Sequence, residues 1–185
     1  MLAQVAMFEL PSLEFVVLGV PVTQGSKAIS AYLGQRVRTR YGTAIVKPRA
    51  VLTEQSNMAT KTMRSNRLKR WRETIALQAK RKANAERCWV YTLAPVSLRC
   101  EFVFARPNSH YVGDDPVRGK LKANAPVLHT STPDLDKLLR AVGDALTGVL
   151  YADDSQVVSY DGSLKRYVSS AAGKPGVRVT VRRLA

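Results

Sequence analysis

The sequence predicts a small single-domain α/β protein, with a mixed β-sheet and two main helices packed on it. Three patterns lead to this fold class. Apolar residues recur at the three-and-four spacing of a helix between Leu135 and Val149. They alternate with other residues, as in a half-buried strand, from Leu98 to Phe104 and again from Val177 to Val181. A length of 185 residues suits one domain with an ordinary core.

The N-terminal half supplies a strand, a basic hairpin and the first helix. Residues 1–11 are expected to form a flexible leader, and the folded domain to occupy residues 12–185. A strand follows from Leu13 to Val20, and its apolar residues on both sides predict that both faces are covered. Residues 24–49 are basic and punctuated by glycine, which predicts a hairpin whose turn contains Gly34. From Ser65 to about Ala85 an apolar stripe predicts a helix with Trp71 in the core and basic residues outside.

The C-terminal half begins with a long loop. Prolines and glycines interrupt residues 107–132, and we expect a mobile loop beside the functional site, since such long loops are uncommon in compact domains and often functional. His110 and His129 each lack a spaced partner, so we expect an incidental role and not a metal-binding or catalytic one. Thr132 is the expected N-cap of the second helix, with Pro133 at its first position. Apolar segments follow at 156–160, 164–168 and 177–183.

The composition limits the class of protein. The 29 basic and 14 acidic residues give a net charge of +15, which points to a polyanionic partner, most simply a nucleic acid. No uncharged apolar run is long enough to span a bilayer. Glu9 and Glu14 interrupt what would be a secretory signal, so we expect a cytoplasmic protein. Cys88 and Cys100 are too few for a disulfide framework or a zinc site.

Acidic residues cluster in one part of this basic chain, at Asp134, Asp136, Asp144, Asp153, Asp154 and Asp161. Residues two apart in a helix point about 200° apart, so Asp134 and Asp136 converge only if Asp134 precedes the first full turn. Asp153 or Asp154 could then join them. Crowded carboxylates repel one another unless a cation lies among them, and Mg²⁺ prefers oxygen ligands and substrate phosphate. In a basic chain this combination predicts cleavage of a phosphodiester.

A structural interpretation of the same acids stays open. An Asp in the first turn of a helix commonly stabilises the helix dipole, and an Asp-Asp pair before a strand is commonly a solvated turn. Asp114-Asp115, which stand beside Gly113 and Pro116, are expected to form such a turn.

The acidic segment resembles a known family. The residues concerned are Pro133-Asp134-Leu135-Asp136-Lys137-Leu138-Leu139-Arg140, Asp144-Ala145-Leu146, Asp153-Asp154-Ser155-Gln156-Val157-Val158 and Lys165. In order and spacing they resemble the RusA family of Holliday-junction resolvases, in the version found in phages and prophages. A looser resemblance runs through Gly19–Lys27 and Trp71-Arg72-Glu73.

The resemblance implies a metal-dependent endodeoxyribonuclease that cuts branched DNA, acts as a homodimer and serves DNA recombination, repair or phage DNA processing. It implies Mg²⁺, or Mn²⁺ in its place, held by Asp134, Asp136 and Asp154 with Asp153 beside them, and no small-molecule cofactor or membrane partner. Arg140 stands where many members have a catalytic Lys, and Lys165 is a second candidate for the positive group. Lys137 stands where some members have Asn.

The remaining expectations concern DNA contacts and competing functions. Candidate phosphate contacts are Lys27, Arg36, Arg38, Arg40 and Lys137, together with basic residues of the first helix. Two other functions fit the same charge: a protein that binds branched DNA without cutting it, and a metal-dependent nuclease for flaps, single strands or RNA.

Overall fold

The fold is taken from a computed structural model of the chain. It describes residues 11–23, 27–31, 36–39, 42–45, 50–54, 58–87, 89–117 and 119–184. Between residues 27 and 65 only the backbone is described. The expected leader therefore lies outside the described residues, apart from Pro11.

A mixed sheet of five strands forms the centre of the fold, which confirms the predicted class. Its strands are β1 (Ser12–Leu18), β6 (Val96–Phe104), β7 (Val157–Ser159), β8 (Leu164–Tyr167) and β9 (Gly176–Arg183), numbered together with four hairpin strands described below. β9 pairs antiparallel with β1 on one side and with β6 on the other. The far edge of β6 pairs in parallel first with β7 and then with β8. The two strands that follow the acidic segment, β7 and β8, thus share β6 as their neighbour.

The inward faces of β6 and β9 follow the predicted alternation. Leu98, Cys100 and Phe102 are fully buried, and so are Val179 and Val181. Burial without a charged partner raises the pKa of the Cys100 thiol, which is a free cysteine of the core.

The prediction that both faces of β1 are covered was wrong. Leu13, Phe15 and Val17 are buried, whereas Val16 is 50% and Leu18 59% exposed. Among the described residues the core therefore lies on the inner face of β1, and its outer face is exposed at Val16 and Leu18.

Two helices complete the core, as predicted. The first, α1 (Met58–Glu86), begins seven residues before the predicted start at Ser65. The predicted stripe is correct at its centre, since Trp71, Ile75 and Ala79 are buried. The second helix, α2 (Leu135–Leu146), buries the side of its circumference that carries Leu138, Leu139, Val142 and Leu146. No helix among the described residues is long and apolar enough to cross a membrane.

The strands of the basic segment pair differently from the predicted hairpin. The four strands are β2 (Lys27–Ala31), β3 (Arg36–Thr39), β4 (Gly42–Ile45) and β5 (Ala50–Glu54). β2 pairs with β5, and β3 with β4, so β2 does not fold back on β3 around Gly34. In both ladders, the residue numbers of two paired residues have the same sum. This is the pattern of one hairpin with a single register.

The loop at 107–132 carries local structure of its own. It contains two 3-10 turns, Asn108–His110 and Val112–Asp114, and Val112 N–H donates to the carbonyl of Lys120 at 2.9 Å. Its last part lies along β8, where Tyr167 N–H donates to the carbonyl of Val127. The loop thus reaches α2 along the edge of the sheet, and its mobility stays a prediction.

Candidate active site

The first acid pair, Asp134 and Asp136, lies where α2 begins. Asp134 is the N-cap residue with an extended backbone (φ −70°, ψ 142°), and Asp136 stands in the first turn. The prediction of Thr132 as N-cap and Pro133 as the first helical residue was therefore wrong, since the first helical bond runs from Leu138 N–H to the carbonyl of Asp134. Because Asp134 precedes the helical turns, the geometric condition for convergence with Asp136 is met. Both residues are exposed.

Lys137 contacts the carboxylate of Asp134. Its ammonium donates a hydrogen bond of 2.6 Å to Asp134 Oδ2. That hydrogen bond, and then the charge of the same ammonium, lower the pKa of Asp134 and raise the pKa of Lys137. The carboxylate is therefore ionised well below neutral pH and is paired with a cation from its own helix.

Lys165 supports the turn before the first acid pair. From β8 its ammonium donates to the carbonyls of Ser131 (2.8 Å) and Pro133 (2.7 Å). Bonds from an ammonium to carbonyl oxygens are charge-assisted and stronger than neutral ones. The backbone that carries Asp134 into α2 is therefore fastened to the sheet through one side chain.

The second acid pair, Asp153 and Asp154, lies in a 3-10 turn at Asp154–Gln156, directly before β7. Asp153 caps this turn, and its Oδ1 accepts from Ser155 N–H at 2.9 Å. Hydrogen bonds from Ser155 lower the pKa of the Asp153 carboxyl. Both acids are exposed. The turn thus presents two carboxylates to solvent, one of which also stabilises the turn.

The four acids have the donor chemistry for Mg²⁺ but do not form a closed cluster. Among the residues that the structure describes, no three His, Cys, Asp or Glu side chains lie close enough together to hold a metal ion. Their oxygens are exposed, and the lowered pKa values of Asp134 and Asp153 keep both charged at neutral pH. An ion that used Oδ2 of Asp134 would compete with Lys137 for it. The donor chemistry of these exposed carboxylates suits a hard cation.

Arg140 lies on the exposed side of α2, one turn after Asp136. Tyr160 follows β7, and its hydroxyl oxygen lies next to the middle of α2. A Cβ built on Gly143 of this helix would be 3.9 Å from that oxygen. Burial raises the pKa of Tyr160, and the charges of Cys100 and Asp154 raise it further. Tyr160 is therefore a neutral hydrogen-bonding group in the electrostatic neighbourhood of Arg140 and Asp154.

Asp144, the third motif acid, has a structural partner. Its Oδ2 forms an ion pair and a short hydrogen bond with Nη2 of Arg72 in α1. Both side chains are largely buried at the contact between the two helices. Asp144 thus joins α2 to α1.

Comparison with known families decides the identity of this arrangement. The family model described as endodeoxyribonuclease RusA matches residues 42–182, which is more than half of the chain. The chain belongs to the RusA family. Membership makes it an endodeoxyribonuclease of the kind that resolves Holliday junctions. No curated protein matches the chain closely enough to count as a relative.

The RusA match covers the whole acidic segment and all the elements that position it. It begins within β4, so the looser resemblance at Gly19–Lys27 lies outside the matched range. Trp71 and Arg72 lie within the range, where Trp71 is buried in the core and Arg72 pairs with Asp144.

The candidate DNA contacts of this RusA protein are only partly described. For Lys27, Arg36 and Arg38 the structure gives the backbone alone, and Arg40 lies outside the described residues. Of the basic residues predicted to line the outside of α1, Arg67, Arg70, Lys80 and Arg81 are exposed, whereas Lys82 is half-buried and pairs with Glu86. A basic surface on α1 is therefore confirmed.

The two histidines occupy structural positions. His129 packs against Phe104 and Tyr167, with ring centroids 4.2 and 4.9 Å away, and its Nδ1 is buried without a hydrogen bond. Burial and the charge of Lys165 lower its pKa. His110 packs edge-on against Tyr167. Asp114 accepts a hydrogen bond from the ammonium of Lys122, and Asp115 accepts one from Val117 N–H. Both contacts stabilise the loop, in agreement with the predicted turn.

Sequence reasoning missed three residues of this RusA site: Gln156, Tyr160 and Arg72. Gln156 stood in the quoted motif, but no local pattern indicates which backbone groups its amide contacts. Arg72 and Tyr160 reach α2 from elements distant in sequence, so only the fold brings them there.

Proposed function

We propose that this RusA-family protein resolves four-way DNA junctions by metal-dependent, paired, symmetric nicks. The observation that carries the proposal is the exposure of both acid pairs on short backbone turns, one held to β8 by Lys165 and the other held by Gln156 to the segment before β6. In a chain of net charge +15, exposed carboxylates disfavour DNA binding unless a cation is bound with them.

Asp134, Asp136 and Asp154 are the proposed ligands of Mg²⁺ or Mn²⁺, with Asp153 beside them. The ion would supply positive charge at the scissile phosphate and help to ionise the attacking water. The residues of the chain prepare this site: the lowered pKa of Asp134 keeps its carboxylate charged, and Lys137 holds it until a ligand competes. Once released, the ammonium of Lys137 is free to contact a DNA phosphate.

Arg140 is the proposed group that stabilises charge on the phosphate during cleavage. Its guanidinium is exposed on the same side of α2 as Asp136, and its fork of N–H donors matches the oxygens of a phosphate. Lys165 holds the turn that carries Asp134 through two of its three N–H donors. We propose that its third N–H supports the stabilisation of charge on the phosphate.

The proposed DNA path uses the basic surface of α1 together with Lys27, Arg36, Arg38, Arg40 and Lys137. Contacts of this kind are independent of sequence and weaken with salt. Two cuts on strands related by two-fold symmetry require two such sites, so we propose a C2 homodimer. The proposed setting is DNA recombination, repair or phage DNA processing in the cytoplasm.

The test is cleavage of a labelled four-way junction in Mg²⁺, with linear duplex, flap and RNA substrates in parallel. Asp136→Asn and an EDTA sample should abolish cutting, and Asp136→Asn should keep binding, because only a carboxylate is lost. Asp161→Asn is the matched control, since it removes an exposed acid after β7, outside both pairs. Junction binding without nicks in every sample would refute the nuclease proposal, and preferential cutting of flaps or RNA would refute the proposed substrate.

A further inference from the structure

Gln156 ends the turn that carries the second acid pair, and its side-chain amide uses all of its hydrogen-bonding capacity. Oε1 accepts from the N–H groups of Ala152 (2.8 Å) and Asp153 (2.9 Å). Nε2 donates to the carbonyls of Thr92 (3.2 Å) and Ala94 (2.9 Å). An amide has two donor hydrogens and an oxygen with two lone pairs, so each position has one partner. The neighbours also fix which atom is oxygen and which is nitrogen.

The segment to which Gln156 is bonded is itself fixed in the core. Thr92 is only 5% exposed, and its N–H donates to the carbonyl of Leu150 at 3.2 Å. Its Oγ1 accepts from Ala94 N–H at 3.0 Å. β6 follows directly at Val96. Gln156 therefore connects the exposed acid turn to backbone that cannot move without disturbing the central strand.

No other side chain makes this set of bonds. A glutamate would accept from Ala152 and Asp153 but would turn a carboxylate towards the two carbonyls. A methionine has nearly the same length and volume but makes none of the four bonds. Asn is one methylene shorter and cannot reach both sides. The requirement is for an uncharged amide at this distance from the backbone.

We infer that Gln156 is a positioning residue for the endonuclease reaction, which fixes the direction in which Asp153 and Asp154 present their carboxylates. This inference rests on the proposed function, because it gives the second acid pair a part in cleavage. A catalytic group that moves by about 1 Å commonly costs two orders of magnitude in rate. Gln156 itself does not need to touch DNA or metal.

The experiment compares Gln156→Met with Trp89→Phe in the full chain. Trp89→Phe removes one buried hydrogen bond nearby, from Nε1 to the carbonyl of Leu150, without touching the acid turn. Unfolding in urea shows whether the two variants are equally stable. Backbone amide exchange is then followed at residues 152–155, together with junction binding in EDTA and cleavage over a range of Mg²⁺ concentrations. Gln156→Glu, which keeps the two accepting bonds, replaces the Met variant if the latter does not fold.

We expect Gln156→Met to lose exchange protection in the acid turn and to cut at least ten-fold more slowly or need at least ten-fold more Mg²⁺. Junction affinity in EDTA should stay within two-fold of the native value, and Trp89→Phe should match the native protein in exchange of the acid turn, junction binding and cleavage. Cleavage parameters equal to those of Trp89→Phe would overturn the inference, and so would unchanged exchange. If the native protein cuts no junction, the proposed function fails, whereas the exchange result still decides whether Gln156 holds the turn.

Discussion

Lys165→Met tests whether Lys165 holds the turn before Asp134. Methionine keeps most of the aliphatic length of the side chain but cannot donate to the carbonyls of Ser131 and Pro133. A hydrogen bond that involves a charged group contributes about 1.5–3 kcal/mol. Since Lys165 is half-buried and water can replace part of these contacts, we expect a loss of about 2–3 kcal/mol in the free energy of unfolding.

The assay is urea denaturation at neutral pH. At a slope of about 2 kcal/mol per M, the midpoint should fall by about 1–1.5 M. Lys122→Met is the matched control, because Lys122 also makes two bonds, to Ser109 and Asp114, but both are exposed, whereas the bond from Lys165 to Pro133 is partly buried. It should lose at most about 1 kcal/mol. Equal midpoints for the two variants would refute the role of Lys165 in holding the turn before Asp134.

Three further predictions concern other contacts of the site. Asp144→Asn should destabilise the protein by about 1–3 kcal/mol in urea unfolding, because it removes the charge that pairs with Arg72 between the helices; native stability would contradict this. Lys137→Asn should lower the Mg²⁺ concentration for half-maximal cleavage two- to five-fold, because it frees Asp134 from an exposed ion pair. An unchanged or higher concentration would count against competition between Lys137 and the metal ion for Asp134. The pKa of His129 in the folded state lies below its ordinary value of 6.5, so the unfolded chain binds more protons and stability falls as the pH drops below 6.5. His129→Phe should flatten this fall between pH 7.5 and 5, measured by urea unfolding, and an unchanged slope would exclude His129 as its cause.

Periodic burial is what the sequence predicted best. The three-and-four spacing of α2 and the alternation in β6 and β9 depend only on which residues are apolar, and the structure buries the expected faces. That Asp134 precedes the first helical turn was stated only as a condition for its convergence with Asp136, whereas the predicted N-cap at Thr132 placed it inside the helix. The match to the RusA family confirms the resemblance that these motifs carried.

Features set by distant partners were not predictable. The first seven residues of α1 carry no apolar stripe, so the helix appeared to begin at Ser65. The partners of β2 and β3 depend on the register of the whole hairpin, which the Gly34 signal did not reveal. Gln156 and Lys165 bond backbone carbonyls and N–H groups, which every residue possesses, so no sequence pattern identifies those contacts.

The open face of β1 has a consequence for the behaviour of the protein in solution. Among the described strands β1 pairs only with β9, so it is an edge strand, and it exposes Val16 and Leu18. An apolar edge of this kind is a template for aggregation, which mutual repulsion between copies of net charge +15 opposes. Salt shortens the range of that repulsion to about 8 Å at physiological ionic strength. Self-association should therefore increase with the same salt that weakens DNA binding.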